Sequence, residues 1–175
     1  MKIFKSNRWM GLLISLVFMF SIFVTFSTAQ EKFKVSGKIT MASTSRPSVD
    51  VGDVEGHTLT ISKWEGTNVC TSEHKFMDDA KVLVAGFGDY IKGNGPNMGY
   101  TIMVLNGDAV HAKFKGKTTT TLVEGNPVTT FKMTFTFTKG TGKYENIQGG
   151  GNYKAKMISA TELVTDWEGE YFIKK

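Results

Sequence analysis

Few residues in this chain could do chemistry, and their spacing restricts what that chemistry could be. The glycine-rich run "TKGTGKYENIQGGG", residues 138–151, starts as a phosphate cradle would, with Gly140 and Gly142. Backbone amides freed by glycine wrap a phosphate only when a third glycine and a following helix complete the site. Glu145 stands at the third-glycine position, while Phe137 and Tyr144 stand where a phosphate loop needs its first glycine and its Ser or Thr. The run therefore predicts a corner between strands. A second run, "KGNGPNMGY" at residues 92–100, fails in the same way at Met98.

The acid–base candidates are equally sparse. His57 alternates with Leu59 and Ile61, a parity that predicts an inward imidazole near a barrel end, where a neutral ring can act as general base. A lone histidine is more often a satisfied packing residue, and no Ser or Cys nucleophile stands beside this one, so His57 is a weak catalytic candidate. The triplet Trp-Glu-Gly occurs at residues 64–66 and 167–169. Glu65 and Glu168 would make an acid–base pair if both faced inward, but strand alternation aims the two indoles in and the two carboxylates out. His57, His74, His111 and Cys70 show neither H-x-x-x-H nor C-x-x-C spacing, so no metal and no cofactor is predicted. Cys70 is alone and reads as a small, partly buried side chain.

The elements that must position these groups begin after a segment of another kind. Residues 1–29 place Lys2, Lys5 and Arg8 before an apolar run from Trp9 to Phe26 and end in Ser27 and Ala29, the small-residue pattern of an export signal cut after Ala29. The expected location is secreted or periplasmic, with no stable membrane anchor after cleavage. Of 175 residues, 146 remain, enough for one domain over 30–175. Three of the 21 Lys and Arg lie in the signal, leaving 18 against 16 Asp and Glu. A balance of +2 gives no reason to expect a nucleic-acid partner.

Over those 146 residues apolar side chains recur at period two. Phe33, Val35, Ile39 and Met41 alternate with polar residues, as do Phe131, Met133, Phe135 and Phe137. Further strands are predicted at His57–Trp64, Ala80–Phe87, Gly99–Leu105, Ala109–Leu122, Gly151–Ile158 and Leu163–Ile173, with turns at Asn106-Gly107 and Gly125-Asn126-Pro127. The fold class expected is all-β: a single, roughly eight-stranded antiparallel closed barrel, since closure removes exposed sheet edges. Phe131, Met133, Phe135, Phe137, Trp167 and Tyr171 are expected to face inward as core or ligand-binding residues. The segments 42–56 and 88–100 are expected to be the longest loops, with Tyr90, Asn94, Asn97 and Tyr100 ringing a barrel mouth.

The order of an aromatic alternating strand, then "TKGTGKYENIQGGGNY", then "DWEGEYFIKK" resembles the allene oxide cyclase and dirigent-type (calycin-like) barrels. Gly140, Thr141, Gly142 and Tyr144 match a G-T-G-x-[FY] turn, and Gly149, Gly151 and Tyr153 match the G-x-G-x-[YF] strand after it. The resemblance covers about the last third of the chain. It implies an eight-stranded barrel with a central apolar cavity, often a trimer, and places no active-site residue on this sequence. The expected function is an exported barrel that binds a small, mostly apolar molecule in its interior. The alternatives are a cyclase-like or isomerase-like enzyme acting inside the cavity and a structural oligomer with a filled barrel.

The last hairpin carries the sharpest expectation. Residues facing each other across it should sum to 322, about a turn at Thr161, which sets Ala155 against Trp167, Tyr153 over Gly169 and Lys154 beside Glu168.

Overall fold

The computed structural model describes residues 30–175; the export signal read from residues 1–29 lies outside them. Nine strands follow in chain order: β1 (Phe33–Ser45), β2 (Ser48–Asp50), β3 (His57–Cys70), β4 (Lys81–Ile91), β5 (Gly95–Leu105), β6 (Asp108–Val123), β7 (Asn126–Gly140), β8 (Ile147–Met157) and β9 (Glu162–Ile173). Each of β3 to β9 pairs antiparallel with the next, β9 pairs with β1, and β1 pairs with β3. That last pairing closes an eight-stranded barrel, the architecture expected from the alternation. The short β2 continues the line of β1 along β3 beyond the break at Arg46-Pro47, so the ribbon of β2 and β3 overhangs one rim.

Turn chemistry explains the meander. Three hairpins turn on two residues that both take positive φ: Lys92-Gly93, Asn106-Gly107 and Glu124-Gly125. Such turns twist in the sense that strands twist. Lys92-Gly93 makes residues 88–100 a tight hairpin, which corrects the long loop expected there. The 42–56 segment is divided in the same way: residues 42–45 end β1, Ser48–Asp50 form β2, and Arg46-Pro47 and residues 51–56 remain outside strands. Between β7 and β8 the glycine-rich run forms a corner with a single 3-10 turn at Gly142–Tyr144, and β8 begins at Ile147, earlier than the pattern indicated.

Side chains divide the interior into two halves. At one end the loop between β3 and β4 folds back into the barrel and inserts Phe76 and Met77, both fully buried. Phe76 packs against Phe137, Tyr144, Trp167 and Tyr171, with ring centroids 4.9–6.0 Å apart. Burying each of the two inserted side chains contributes about 1.5–3 kcal/mol. This end is filled. The other end keeps open space, bounded by Tyr90, Asn97, Tyr153 and Leu163.

The final hairpin differs from expectation by one pairing step. Tyr153 lies opposite Trp167, Lys154 opposite Asp166, Ala155 opposite Thr165 and Asn152 opposite Glu168, a sum of 320. The turn itself sets this: the Ile158 amide donates to the Glu162 carbonyl at 2.9 Å across Ser159-Ala160-Thr161, and the Thr161 amide donates to Ser159 Oγ at 3.3 Å. The small partner that the Trp167 ring needs is supplied from the other side, by Gly37 on β1. A Cβ at Gly37 would lie 2.7 Å from Trp167 Nε1. Glu168 does face solvent, as expected, but opposite Asn152 and Ser36 rather than Lys154.

Candidate functional site

The parity of β3 decides which groups can reach the interior. Thr60, Trp64, Asn68 and Cys70 are buried, whereas Ile61 and Val69 are exposed, so even-numbered residues face in. Trp64 and His57 stand at opposite parity on one strand, and only one of the two can point inward. The indole, with far more apolar surface, takes the core. His57 is therefore on the outer face, correcting the inward placement expected from Leu59 and Ile61. There its Nε2 lies 2.8 Å from Asp89 Oδ1 and its Nδ1 pairs with Asp53. The hydrogen bond to Asp53, then that to Asp89, raises the imidazole above its ordinary value, and His57 in turn lowers Asp53.

The space inside the open half amounts to a cavity of about 90 Å³. Of the residues expected to line it, Phe131, Phe135, Phe137 and Trp167 do. Met133 faces inward but packs against Gly116, and Tyr171 belongs to the aromatic cluster around Phe76 at the filled end. Of the expected mouth residues, Tyr90 and Asn97 lie inside on the cavity wall. Asn94 sits in the β4–β5 turn, where its Oδ1 accepts from the Thr120 amide at 3.0 Å. Tyr100 points outward and is exposed.

The polar groups on this wall are the hydroxyls of Thr60, Ser62, Thr101, Thr165, Tyr90 and Tyr153, the Asn97 amide and the Arg46 guanidinium. Asn97 Nδ2 donates to Thr118 Oγ1 at 3.4 Å, and Thr118 Oγ1 donates to the Tyr90 hydroxyl at 3.5 Å. Two wall atoms, Asn97 Oδ1 and Thr165 Oγ1, are buried and have no hydrogen-bond partner. Burial raises the phenols of Tyr90 and Tyr153, the latter strongly and with a further push from Tyr90, so both stay protonated at neutral pH. Arg46 borders the cavity at the rim, its guanidinium 6.0 Å from the centre of the Trp64 ring. Among the described residues, no carboxylate and no histidine lines the space.

Several of these residues escaped the sequence reading. Asn68 and Trp64 sit four apart on β3, so the parity that buries one buries the other, and that signal was available. Phe76 and Met77 stand in a loop without period, and nothing local marks them as core.

No family profile and no curated protein matches this chain. Among solved structures it is similar to the pterocarpan synthase dirigent protein PsPTS1, at 12% identity over 83% of this chain and 97% of that one, with a TM-score of 0.41. It is also similar to the pterocarpan synthase dirigent protein GePTS1, at 12% identity over 82% of this chain and 92% of that one, with a TM-score of 0.38. Likeness this loose carries no residue correspondence.

Proposed function

We propose that this protein is an exported barrel that binds a small, neutral, mostly apolar molecule carrying one or two hydrogen-bonding groups. The observation that carries the reading is the pair of buried, unpartnered atoms Asn97 Oδ1 and Thr165 Oγ1 on a mainly apolar wall that also holds the hydroxyls of Thr60, Ser62 and Thr101. A buried acceptor without a partner costs about 1–3 kcal/mol, which a guest donating a hydrogen bond recovers. The protonated phenols of Tyr90 and Tyr153 add donors. Charged guests are disfavoured because, among the described residues, no acidic side chain lines the cavity and its single cation, Arg46, stays at the exposed rim.

Size narrows the guest further. A cavity of about 90 Å³ is smaller than the roughly 150 Å³ that takes up benzene in an engineered core, and far below the roughly 300 Å³ where drug-sized sites begin. The ligand is a single ring or a short branched chain, admitted by movement of the rim. Among the described residues the cavity wall holds no carboxylate, histidine or cysteine, which favours binding over acid–base catalysis.

Trp64 and Trp167 both lie on the wall, so tryptophan fluorescence reports occupancy. Titration with benzyl alcohol, cyclohexanol and benzene should give saturable quenching or a shift with at least one alcohol. Asn97→Leu and Thr165→Val should weaken the alcohols while sparing benzene. No response to any of the three would remove the proposal. Export is checked separately, by an intact mass that begins at Gln30.

A further inference from the structure

The outer wall of the barrel carries two unlike surfaces placed side by side by register. On β6 and β7, Lys117 lies directly opposite Lys132, with Lys115 two residues along from Lys117 on the same face; Lys154 on β8 continues the row beyond Lys132 and ends it, since Asp166 lies opposite Lys154 on β9. Neighbouring strands are about 5 Å apart, so this is a row of like charges in direct apposition, an arrangement that destabilises a sheet. Elsewhere the barrel avoids it: Lys38 meets Asp166 at 3.1 Å and Lys81 meets Glu65 at 2.9 Å. Here no Asp or Glu occurs between Asp108 and Glu124 or from Asn126 to Gly140. None of Lys115, Lys117, Lys132 and Lys154 forms an ion pair with another described residue.

The same register places apolar side chains on the flank of that row. Ile61 on β3 lies opposite Phe87 on β4, Phe87 opposite Met98 on β5, and Met98 opposite Lys115. Tyr100, next on the outer face of β5, lies opposite Lys113. Ile61, Phe87, Met98 and Tyr100 are 42–62% exposed. A contiguous apolar strip on a soluble surface marks a contact site. A strip of aromatic and flexible apolar side chains bordered by unpaired lysines is the pattern that seats on a membrane surface: the apolar groups enter the acyl boundary and the ammonium groups meet headgroup phosphates.

We infer that this wall is a peripheral docking surface for an anionic lipid bilayer. Nucleic acid is the less suitable polyanion, because a duplex offers nothing to cover Ile61, Phe87 and Met98. Docking by this wall lays the barrel on its side and leaves the rim with Arg46 open, so the interior site and the membrane site can be occupied together.

Co-sedimentation of the protein recovered from the producing cell tests this. Vesicles of equal parts phosphatidylglycerol and phosphatidylcholine should bind it at least about tenfold better than phosphatidylcholine alone, and the difference should vanish near 0.5 M salt. The triple variant Lys115→Gln, Lys117→Gln, Lys132→Gln should lose on the order of a hundredfold in partitioning, about fivefold per charge. The double variant Phe87→Ser, Met98→Ser should lose roughly tenfold, and neither variant should melt below the parent, the lysine variant being relieved of apposed like charges. Equal binding to the two vesicle types, or lysine variants without effect, would overturn the inference. So would duplex DNA binding that needs the lysines but tolerates Phe87→Ser and Met98→Ser. An oligomer that the Phe87→Ser, Met98→Ser variant breaks into monomers would assign the apolar strip to a second copy instead.

Discussion

The indole Nε1 of Trp167 donates a hydrogen bond of 2.8 Å to Asn68 Oδ1, and Asn68 Nδ2 donates to the carbonyls of Phe76 and Met77 at 3.2 and 2.8 Å. One fully buried amide thus ties β9, β3 and the inserted loop together. Every polar atom of its side chain is used, which is how a polar group is tolerated in a core. The aromatic plug is held by this amide as well as by its own packing.

Asn68→Ala leaves the Trp167 donor without its acceptor and the two loop carbonyls without their donor. The expected loss of stability is about 3 kcal/mol, measured by denaturant unfolding. Asn68→Asp should be no better, since it keeps the acceptor for Trp167 but brings a carboxylate against two carbonyl oxygens. An Asp variant as stable as the parent would show that Asn68 does not hold the loop.

The aromatic wall should divide by burial. Phe131 and Trp167 are buried, and truncation of either to Ala should cost about 3–5 kcal/mol. Phe135 is only half-buried beside the cavity, so Phe135→Ala should cost less and should enlarge the site. Melting temperatures rank the three, and binding of benzene, weak in the parent, should strengthen in Phe135→Ala.

Two glycines on β4 make a matched pair. A Cβ at Gly88 would fall within the Tyr90 ring, whereas one at Gly86 would meet Ser62 Oγ at 3.2 Å and the Phe114 ring at 3.4 Å. Gly88→Ala should displace Tyr90 from the cavity, cost about 1–3 kcal/mol and weaken alcohol binding. Gly86→Ala should be tolerated. Equal effects at the two sites would mean that the Tyr90 ring moves freely.

The outer pair of His57 with Asp53 and Asp89 makes stability depend on pH in a stated direction. The folded pKa of His57 is raised, so its contribution is fully present below the unfolded value of about 6.5 and is lost as pH rises through the folded value. Asp53 is depressed, so its contribution is present above its unfolded value of about 3.9 and is lost as pH falls through the folded one. Between these limits His57→Asn should be less stable than the parent, and the gap should close above neutrality. A gap that stays constant from mildly acidic to mildly alkaline pH would remove the ion pair from the account.

Much of the architecture was legible in the residues. Alternation at period two marked most of the strands, and Asn106-Gly107 marked a hairpin through the left-handed backbone it needs. The placing of Trp64 and Trp167 inside with Glu65 and Glu168 outside also followed from parity, because neighbouring residues of a strand must face opposite ways. Failure of the phosphate-loop spacing was likewise enough to read the run at Gly140 as a corner.

What the strands do to one another was decided only in three dimensions. His57 was assigned to the wrong face because Leu59 and Ile61 beside it are apolar, yet Trp64 on the same strand outweighs them and carries the parity. The last hairpin slipped from 322 to 320 because β9 is paired on both edges: Gly37 on β1 accommodates the Trp167 ring, so Ala155 on β8 was not needed for it. Phe76 and Met77 gave no periodic sign because a loop has no repeating face, and their burial depends on a hole at the barrel end that exists only after closure. Local pattern determines which side chains alternate. Which face is the inside, and which partner fills which gap, depends on contacts between residues as far apart in the chain as Asn68 and Trp167.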